Sequence, residues 1–481
     1  MEKLKSIVTQ FVVMSRSGHK TTAASAPGLA LMKLHTLGVH LAATPKRAVR
    51  LLESRKETGI KLVEMTPQAA AQMAKAQPDL IVAPLRYYAH PRRPVPKPRK
   101  AKTMSAVAGK CRIQVVDAGT QAALVGIKVY AFTDFNNRIG DSATTNASGQ
   151  ATLDIAAGTV IEKLLVLPPL AGYWGLHRVN VALTNPMTLS VLAVDPAGDD
   201  AIDHFHRAGK GTGKGVRVAI IDTGVGPHPD LVYTGDDDNG EGHGSHCAGV
   251  VAGRGKRPGG KPGIAPEAEI ISYRVFPLNG VAANFTVASA IDQAIDDGCD
   301  LLNLSLGFDG MDDDDFDPVI RESIKDAVDS GALVFVAAGN DDRGPVGYPA
   351  TEKDAIAISA VGRVGTFPSD SFASLDIANP RGSKDKKVFA ASFTNIGSKI
   401  ALAGAGCGIV STVPGGYGVM SGTSMATPAM VGMAARILSA SPSILNAPRN
   451  RKRAQALLAA LKKRAKKLGL GVQFEGAGIV R

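Results

Sequence analysis

Short apolar runs alternate with helical patterns through the second half of the chain. Five runs have the length of buried strands, and residues 284–297 and 318–330, which lie between some of them, have helical patterns. Alternating strands and helices predict an α/β fold with a mostly parallel sheet and helices on both faces. In such folds a functional site lies at the carboxyl ends of the strands. The five runs are 216–221, 270–276, 301–306, 333–338 and 355–361.

The first 90 residues predict a small α/β unit of their own. Residues 10–14, 60–65 and 80–88 are candidate strands. Thr66 and Pro67 are suited to the N-cap and the first position of a helix that runs to about Lys75.

A Pro-rich basic stretch separates this unit from a region of a different kind. The composition of residues 91–106 predicts an extended linker. This linker is either a site of proteolytic maturation or a basic connection whose charges only keep it in contact with solvent. Residues 107–198 contain strand-length segments at 112–117, 125–131 and 151–155 with turn residues between them, and they predict a small β-sandwich.

Polar residues with catalytic potential follow the apolar runs. Asp222 ends the run at 216–221, and Asn340 follows the run at 333–338. His243 opens a stretch of small residues, and Ser424 precedes a helical pattern at 430–438, with Pro428 expected in the first helical turn. A helix N-terminus favours developing negative charge, so Ser424 is placed well for a nucleophile whose product is an oxyanion.

The order Asp222, His243, Ser424 is that of the subtilisin triad, and the chain resembles the subtilisin-like serine proteases from about residue 203 to 481. The resemblance implies that Ser424 is the nucleophile, His243 the base, Asp222 its orienting acid and Asn340 an oxyanion donor. The motifs that carry it are Ile221-Asp222-Thr223-Gly224, His243-Gly244-Ser245-His246, Asn303-Leu304-Ser305-Leu306-Gly307, Ala338-Gly339-Asn340 and Gly422-Thr423-Ser424-Met425-Ala426-Thr427-Pro428.

The same resemblance implies roles for other parts of the chain. Residues 1–90 resemble the inhibitory prodomain of the family, and residues 107–198 resemble transthyretin-like or carboxypeptidase-regulatory-like modules. The catalytic unit is then 199–481, and the expected product is an autoinhibited, self-processed zymogen of a serine endopeptidase. Substrate-binding positions implied by the family are Ser305, Leu306, Gly307, Asp341 and Gly347.

Two other functions stay open from the sequence. A binding protein on a protease scaffold would carry a substituted triad residue or oxyanion donor, and none is substituted here. A narrow processing protease would keep the triad, and the sequence does not separate it from a general protease.

The chemistry itself requires no cofactor, but clustered carboxylates leave structural calcium open. Asp230 occupies a position that contributes to a calcium site in many relatives, yet the loop after Gly253 lacks the Asn-rich sequence that completes it, so we expect that site to be missing. Asp312 and Asp314 belong to an acidic run that could bind calcium, attract basic substrates or simply be solvated.

Charge is distributed unevenly along the chain. The net charge is +12, but residues 1–110 hold 20 Lys and Arg against 5 Asp and Glu. This favours a basic N-terminal region that faces an acidic catalytic unit over a nucleic-acid partner. The basic helix predicted at 449–468 is expected to be a surface helix, with a nucleic-acid or membrane surface as the alternative.

Targeting signals and cysteines add little. No apolar run is long enough to span a membrane, and no clear signal peptide is present, which slightly favours an intracellular location over secretion.

The four widely spaced cysteines form no metal motif. Cys247, four residues after His243, is expected beneath the triad, where thiol-directed mercurials would perturb activity.

Overall fold

The computed structural model describes residues 9–16, 25, 28, 30–33, 49–89, 97–100, 109–206, 210–256, 259–307 and 316–481. The described chain forms three units, each with its own sheet or sheets. We call them the N-terminal unit (9–89), the β-rich unit (109–198) and the catalytic unit (199–481).

The N-terminal unit contains a four-stranded antiparallel sheet in the order β2-β3-β1-β4, and the helix α1 packs against it. Strand β1 is buried on both faces: Phe11 and Val13 pack with the helix α1, whereas Val12 and Met14 pack into the core of the catalytic unit. The elements are β1 (Thr9–Ser15), β2 (Val49–Ser54), β3 (Lys61–Met65), α1 (Pro67–Ala76), β4 (Leu80–Pro84) and β5 (Tyr87–Tyr88).

The sequence predicted the start of α1 correctly but not the extent of the last strand. Thr66 is the N-cap, and its hydroxyl accepts a hydrogen bond from the Ala69 amide at 3.1 Å. The expected strand at 80–88 divides into β4 and β5, because β5 leaves the sheet and pairs with a strand of the catalytic unit.

The β-rich unit consists of a four-stranded sheet, β11-β10-β7-β8, and a three-stranded sheet, β12-β6-β9. Buried residues of both sheets form one apolar cluster between them, including Ile113, Val129 and Leu164. Residue Arg99 pairs with Ile139, so the described end of the Pro-rich stretch runs along the edge of this unit. The strands are β6 (Cys111–Asp117), β7 (Lys128–Asp134), β8 (Ile139–Thr144), β9 (Gln150–Leu153), β10 (Val160–Leu167), β11 (Leu176–Ala182) and β12 (Met187–Val191).

The catalytic unit has the α/β fold that the sequence predicts. Its sheet runs β14-β15-β13-β17-β18-β19-β21-β25-β24, with β20 paired to β19, and its central pairs are parallel. The strands are β13 (Arg217–Asp222), β14 (Tyr233–Gly235), β15 (Glu269–Arg274), β16 (Ala282–Ala283), β17 (Leu301–Leu304), β18 (Leu333–Ala337), β19 (Ala355–Arg363), β20 (Val388–Ala390), β21 (Ile400–Ala405), β22 (Ile409–Val413), β23 (Gly416–Met420), β24 (Ala465–Lys466) and β25 (Ile479–Val480).

Helices connect these strands, and the central one is almost wholly buried. Fifteen of the 17 residues of α6 are buried, because small residues let the helix pack closely on the sheet. The helices are α2 (Ala201–His206), α3 (His243–Ala252), α4 (Asn284–Asp296), α5 (Pro318–Asp329), α6 (Thr423–Ser439), α7 (Pro442–Leu445), α8 (Arg451–Arg464) and α9 (Val472–Glu475), with a 3₁₀ turn at Phe372–Asp376.

The basic helix near the C-terminus, α8, is shorter than the predicted 449–468. The Asn450 side chain accepts hydrogen bonds from the amides of Lys452 and Arg453 and so caps the helix after Arg449. Its other end gives way to β24, which pairs with β25. Leu457 and Leu461 are buried, as expected for a surface helix that packs by its leucines.

Candidate active site

The strand β13 and the helix α3 bring Asp222 and His243 together. Asp222 lies fully buried at the carboxyl end of its strand, and His243 is the first residue of α3. The His243 Nδ1 lies 2.8 and 3.0 Å from the two Asp222 carboxylate oxygens. A Cβ on Gly244 would lie 2.2 Å from the Gly224 carbonyl oxygen, so this glycine lets α3 approach closely enough for the contact.

Ser424 is the second residue of α6, but Pro428 is not in the first turn as the sequence suggested. The helix begins at Thr423, which places Pro428 inside it. Because Pro428 has no N–H, the Ser424 carbonyl four residues earlier has no helical donor. That carbonyl accepts hydrogen bonds from the Ser305 hydroxyl at 3.0 Å and the Cys247 thiol at 3.4 Å instead. The proline therefore allows the start of α6 to be tied to two neighbouring elements.

The Ser424 hydroxyl is buried and makes no hydrogen bond within the described part of the chain. Nucleophile and base are often not yet aligned before substrate binds, so this geometry is compatible with catalysis.

Two hydrogen-bond donors converge beside Ser424. The Asn340 Oδ1 accepts bonds from both the amide and the hydroxyl of Thr423, each at 2.9 Å, which fixes the orientation of the amide group. A Cβ placed on Gly422 would lie 3.6 Å from both the Asn340 Nδ2 and the Ser424 amide nitrogen. The two donors thus border the same small space, which the glycine keeps open.

Asn395 is a positioning residue that the sequence interpretation missed. Asn395 is 1 % exposed and bonds to the residues on both sides of Asn340. Its backbone amide donates to the Gly339 carbonyl at 3.0 Å, and its side-chain Oδ1 accepts from the Asp341 backbone amide at 2.7 Å. Its Nδ2 also donates to the Asp341 carboxylate at 2.7 Å. The only available signal was an asparagine outside a turn, which does not predict a partner 54 residues away.

The predicted substrate positions divide into buried and accessible ones. Ser305 and Leu306 are fully buried, whereas Gly307 is partly exposed and pairs antiparallel with Ala89 of the N-terminal unit. Asp341 is exposed, and the Gly347 amide donates to the Ala338 carbonyl at 2.9 Å.

A buried thiol lies beneath the carboxylate. The Cys247 sulfur is 4.0 Å from an Asp222 carboxylate oxygen and 3.7 Å from the Ser305 hydroxyl oxygen. Burial and the negative charge of Asp222 raise the pKa of Cys247 well above its usual value, so the thiol stays protonated. With His243, these groups also place three potential metal-ligand atoms within 4.8 Å of one another. That a mercurial would perturb the site stays a prediction.

The second histidine of the motif, His246, has a structural setting. It is fully buried, and its Nε2 lies 2.9 Å from the Ile409 carbonyl oxygen. Burial lowers the pKa of His246 to about 3, so its ring is neutral at ordinary pH.

The two carboxylate oxygens of Asp230 have different surroundings. One Asp230 carboxylate oxygen accepts a hydrogen bond from the Tyr417 hydroxyl, and the other is buried without a hydrogen bond. Calcium takes six to eight oxygen ligands, but the neighbouring loop places a lysine here: the Lys261 amide donates to the Tyr417 hydroxyl, and its ammonium donates to the Asp203 carboxylate at 2.7 Å. The ion-pair partners of the Lys261 ammonium are Asp200 and Asp203, and this lysine meets Asp230 through its backbone amide and the Tyr417 hydroxyl.

The remaining predictions concern acidic runs and membranes. Asp312 and Asp314 lie outside the described residues. Of the helices in the described part of the chain, none is both long and apolar enough to cross a bilayer.

The fold and the site define the class of the protein. A mostly parallel sheet carries an Asp–His pair at one strand and helix end, with a serine at the start of a buried central helix, and this is the architecture of subtilisin-like serine proteases. Residues 213–477 match the family described as the Subtilase family. The chain belongs to this family of serine endopeptidases.

Individual relatives are proteases. The chain is 31 % identical over 245 residues to Subtilisin Savinase of Lederbergia lenta, a match of 49 % of this chain and 80 % of that protein. It is 34 % identical over 252 residues to Subtilisin NAT of Bacillus subtilis subsp. natto, covering 49 % and 58 %. M-protease of Shouchella clausii is 31 % identical over 245 residues, and the chain spans only 57 % of its length.

Proposed function

We propose that this chain is a serine endopeptidase in which Asp222, His243 and Ser424 form the catalytic triad. The observation that carries the proposal is the pairing of the His243 Nδ1 with both carboxylate oxygens of Asp222, at 2.8 and 3.0 Å. This contact holds the imidazole with Nδ1 protonated, so Nε2 is the nitrogen available to act as a base.

Each residue then has a defined role in acyl transfer. His243 takes the proton of the Ser424 hydroxyl as it attacks the peptide carbonyl and returns that proton to the leaving amine. Asp222 stabilises the imidazolium formed in between. Asn340 Nδ2 and the Ser424 amide, which border the space beside Gly422, stabilise the oxyanion. No cofactor takes part in these steps.

The test of this proposal compares Ser424→Ala with wild type and with Ser383→Ala, an exposed serine of the same unit. We expect a serine-directed phosphonate to label wild type and Ser383→Ala at Ser424 and not to label Ser424→Ala. Asn340→Ala should lower kcat by about 10²–10³-fold with little change in KM. Labelling at another serine would contradict the assignment, and a wild type that neither labels nor cleaves peptides would favour a binding protein.

We further propose that residues 1–90, which contain the N-terminal unit, form an inhibitory prodomain of this chain. Its strand β5 pairs with β16, and the next residue, Ala89, pairs with Gly307. Tyr88 is fully buried at this contact, and its hydroxyl donates to the Asp317 carboxylate at 3.3 Å. The chain after β5 thus occupies a backbone edge on which an extended substrate would pair.

Charge supports the same docking. Arg55 forms ion pairs with Asp292 and Asp296 of α4, and Lys56 lies 3.1 Å from Asp296. The basic N-terminal unit therefore meets acidic residues of its own chain, and peptides or proteins, rather than nucleic acid, are the proposed substrates.

Mass spectrometry tests the zymogen. We expect wild type to lose its N-terminal unit by cleavage within the linker, residues 91–106, and Ser424→Ala to stay at full length. If wild type also stays at full length while its serine is labelled, the protease assignment stands and self-processing is wrong.

The other parts of the molecule complete the proposed organisation. We propose that residues 107–198 are a β-sandwich of the transthyretin-like or carboxypeptidase-regulatory-like type, since two sheets enclose one apolar cluster. We also propose that no calcium binds at Asp230, because one of its carboxylate oxygens is bonded to the Tyr417 hydroxyl and the loop after Gly253 lacks an Asn-rich sequence. Thermal stability should then be unchanged on adding a calcium chelator, and a drop that calcium restores would point to another site.

A further inference from the structure

The β-rich unit reaches the edge of the proposed active site through one loop. Residues 168–175, between β10 and β11, form what we call the 168–175 loop. The Gly172 amide donates to the Tyr417 carbonyl at 2.9 Å, which joins the loop to β23, the strand that leads into Ser421 and α6. Pro168 and Pro169 restrict the backbone at the start of the loop, so it is held in a defined conformation.

The base of the loop is fixed to the catalytic unit a second time. The Phe372 amide donates to the Gly175 carbonyl at 3.0 Å, and the His177 amide donates to the Asp370 carbonyl at 2.7 Å. The Phe372 ring packs against an apolar cluster of the β-rich unit that includes Tyr130. The loop is therefore anchored at its middle and at its C-terminal end.

Leu170 packs against the residue that immediately precedes the proposed catalytic base. A Cβ placed on Gly242, which immediately precedes His243, would lie 2.4 Å from the Leu170 Cδ2. A Cβ placed on Gly418 would lie 2.3 Å from the Leu170 carbonyl oxygen. Leu170 thus fits between the start of α3 and the hairpin β22–β23, yet it remains 38 % exposed. A partly exposed apolar side chain that packs against the residue before the proposed catalytic base can contact a substrate side chain.

The direction of the chain in the cleft tells which part of a substrate would meet Leu170. The N-terminal unit runs along β16 and Gly307 before it reaches the linker, so these elements hold residues on the amino side of a scissile bond. The 168–175 loop lies instead against Gly242 and the hairpin β22–β23. Residues that follow the scissile bond are the ones left to contact it.

We infer that Leu170 is a specificity-determining residue of the protease, which binds an apolar substrate side chain on the leaving-group side of the scissile bond. The β-rich unit is accordingly a permanent part of the mature enzyme and not a segment removed with the N-terminal unit. This inference rests on the proposed peptidase function.

The test uses the self-processed enzyme and internally quenched peptides that share one acyl-side sequence. The peptides differ only in the residues after the scissile bond, which are leucine, aspartate or arginine. Wild type should prefer leucine. In Leu170→Ala the ratio of kcat/KM for the leucine peptide to that for the aspartate peptide should fall about tenfold, since small changes in an apolar pocket are worth 10–200-fold. Val160→Ala, which alters a 56 % exposed valine elsewhere in the β-rich unit, should keep the wild-type ratio.

A second variant distinguishes a change of substrate selectivity from misfolding of the enzyme. Leu170→Glu should raise the kcat/KM for the arginine peptide relative to the leucine peptide, a gain of selectivity that misfolding does not produce. Active-site titration with the phosphonate normalises every rate.

The outcomes separate this inference from the proposed function. Unchanged selectivity in both variants with normal phosphonate titres would overturn the role of Leu170 and leave the peptidase intact. A mature form that lacks residues 109–198 by mass would overturn it as well. Failure of wild type to label or cleave would instead overturn the proposed function on which the inference rests.

Discussion

The N-terminal unit and the β-rich unit both pack on the catalytic unit, but through different kinds of contact. The N-terminal unit docks with a face of its sheet that includes Val12 and Met14, with a two-residue strand pair and a buried tyrosine, and with the ion pairs of Arg55 and Lys56 with helix α4. The β-rich unit docks through backbone hydrogen bonds at the middle and the C-terminal end of the 168–175 loop and through the Phe372 ring, which packs into its apolar surface.

This difference bears on which unit can be released. Contacts between partly exposed charges weaken with salt, and a buried phenol adds a dependence on alkaline pH. Apolar packing and backbone hydrogen bonds respond weakly to either. Apolar packing and backbone hydrogen bonds contribute to both interfaces, so what distinguishes the N-terminal unit is its ion pairs and its buried phenol, which give its docking a dependence on salt and alkaline pH that suits a removable inhibitor. Hydrogen exchange in the Ser424→Ala background, which excludes self-digestion, measures both interfaces in one full-length chain.

The largest change in amide hydrogen exchange is expected from Phe372→Ala at the interface between the β-rich unit and the catalytic unit. Truncating this half-buried ring leaves a cavity against the cluster of Tyr130, and the interface should weaken by about 2 kcal/mol. The His177 amide, bonded to the Asp370 carbonyl, should exchange roughly 30-fold faster, with no dependence on salt.

Val179→Ala is the matched control, because it alters a 51 % exposed valine on the same strand, β11. Equal acceleration in the control, or an effect of Phe372→Ala that disappears in salt, would remove the distinction between the two interfaces.

A smaller effect is expected from Arg55→Ala at the other interface. The Arg55 and Asp292 side chains are 18 % and 19 % exposed, so the loss should be about 1 kcal/mol at low ionic strength. The Asn284 amide, which donates to the Arg86 carbonyl at 2.8 Å, should exchange roughly fivefold faster.

The salt dependence of this effect tests whether the ion pairs cause it. The difference between Arg55→Ala and its parent should shrink several-fold at about 0.5 M salt, because the ion pairs are then screened. Arg50→Ala is the control, since Arg50 pairs with Glu64 inside the N-terminal unit. If the Arg55→Ala effect persists undiminished in salt, charge is not what holds this interface.

The smallest change in amide hydrogen exchange near neutral pH is expected from Tyr88→Phe at the interface of the N-terminal unit. Burial, together with the negative charge of Asp317, raises the pKa of docked Tyr88 well above its ordinary value of 10.0. The docked state thus favours the neutral phenol, so its contribution is complete below pH 10 and is lost as pH rises above 10. Exchange of the Asn284 amide should accelerate above pH 10 in the parent relative to Tyr88→Phe measured at the same pH.

Asp317 keeps a second partner in this variant, because the Asn284 Nδ2 also donates to it at 2.9 Å. The loss below pH 10 should therefore be only a few-fold. An identical pH profile in both proteins would show that undocking does not expose Tyr88.

The sequence by itself determined the α/β class of the catalytic unit and the candidate residues Asp222, His243, Asn340 and Ser424. These follow from local pattern, since apolar runs and helical spacing are short-range signals and each candidate stands at the end of one. The start of α1 was also predicted from neighbouring residues alone, since Thr66 and Pro67 form the cap and the first position of the helix.

Only the tertiary structure decided how distant segments share hydrogen bonds. Pro428 matters because it leaves the Ser424 carbonyl to Ser305, 119 residues away, and Asn395 matters because it brackets Asn340. The place of Leu170 beside Gly242 belongs to the same group. Such contacts depend on how whole elements pack, and side-chain periodicity carries no information about a partner in another unit.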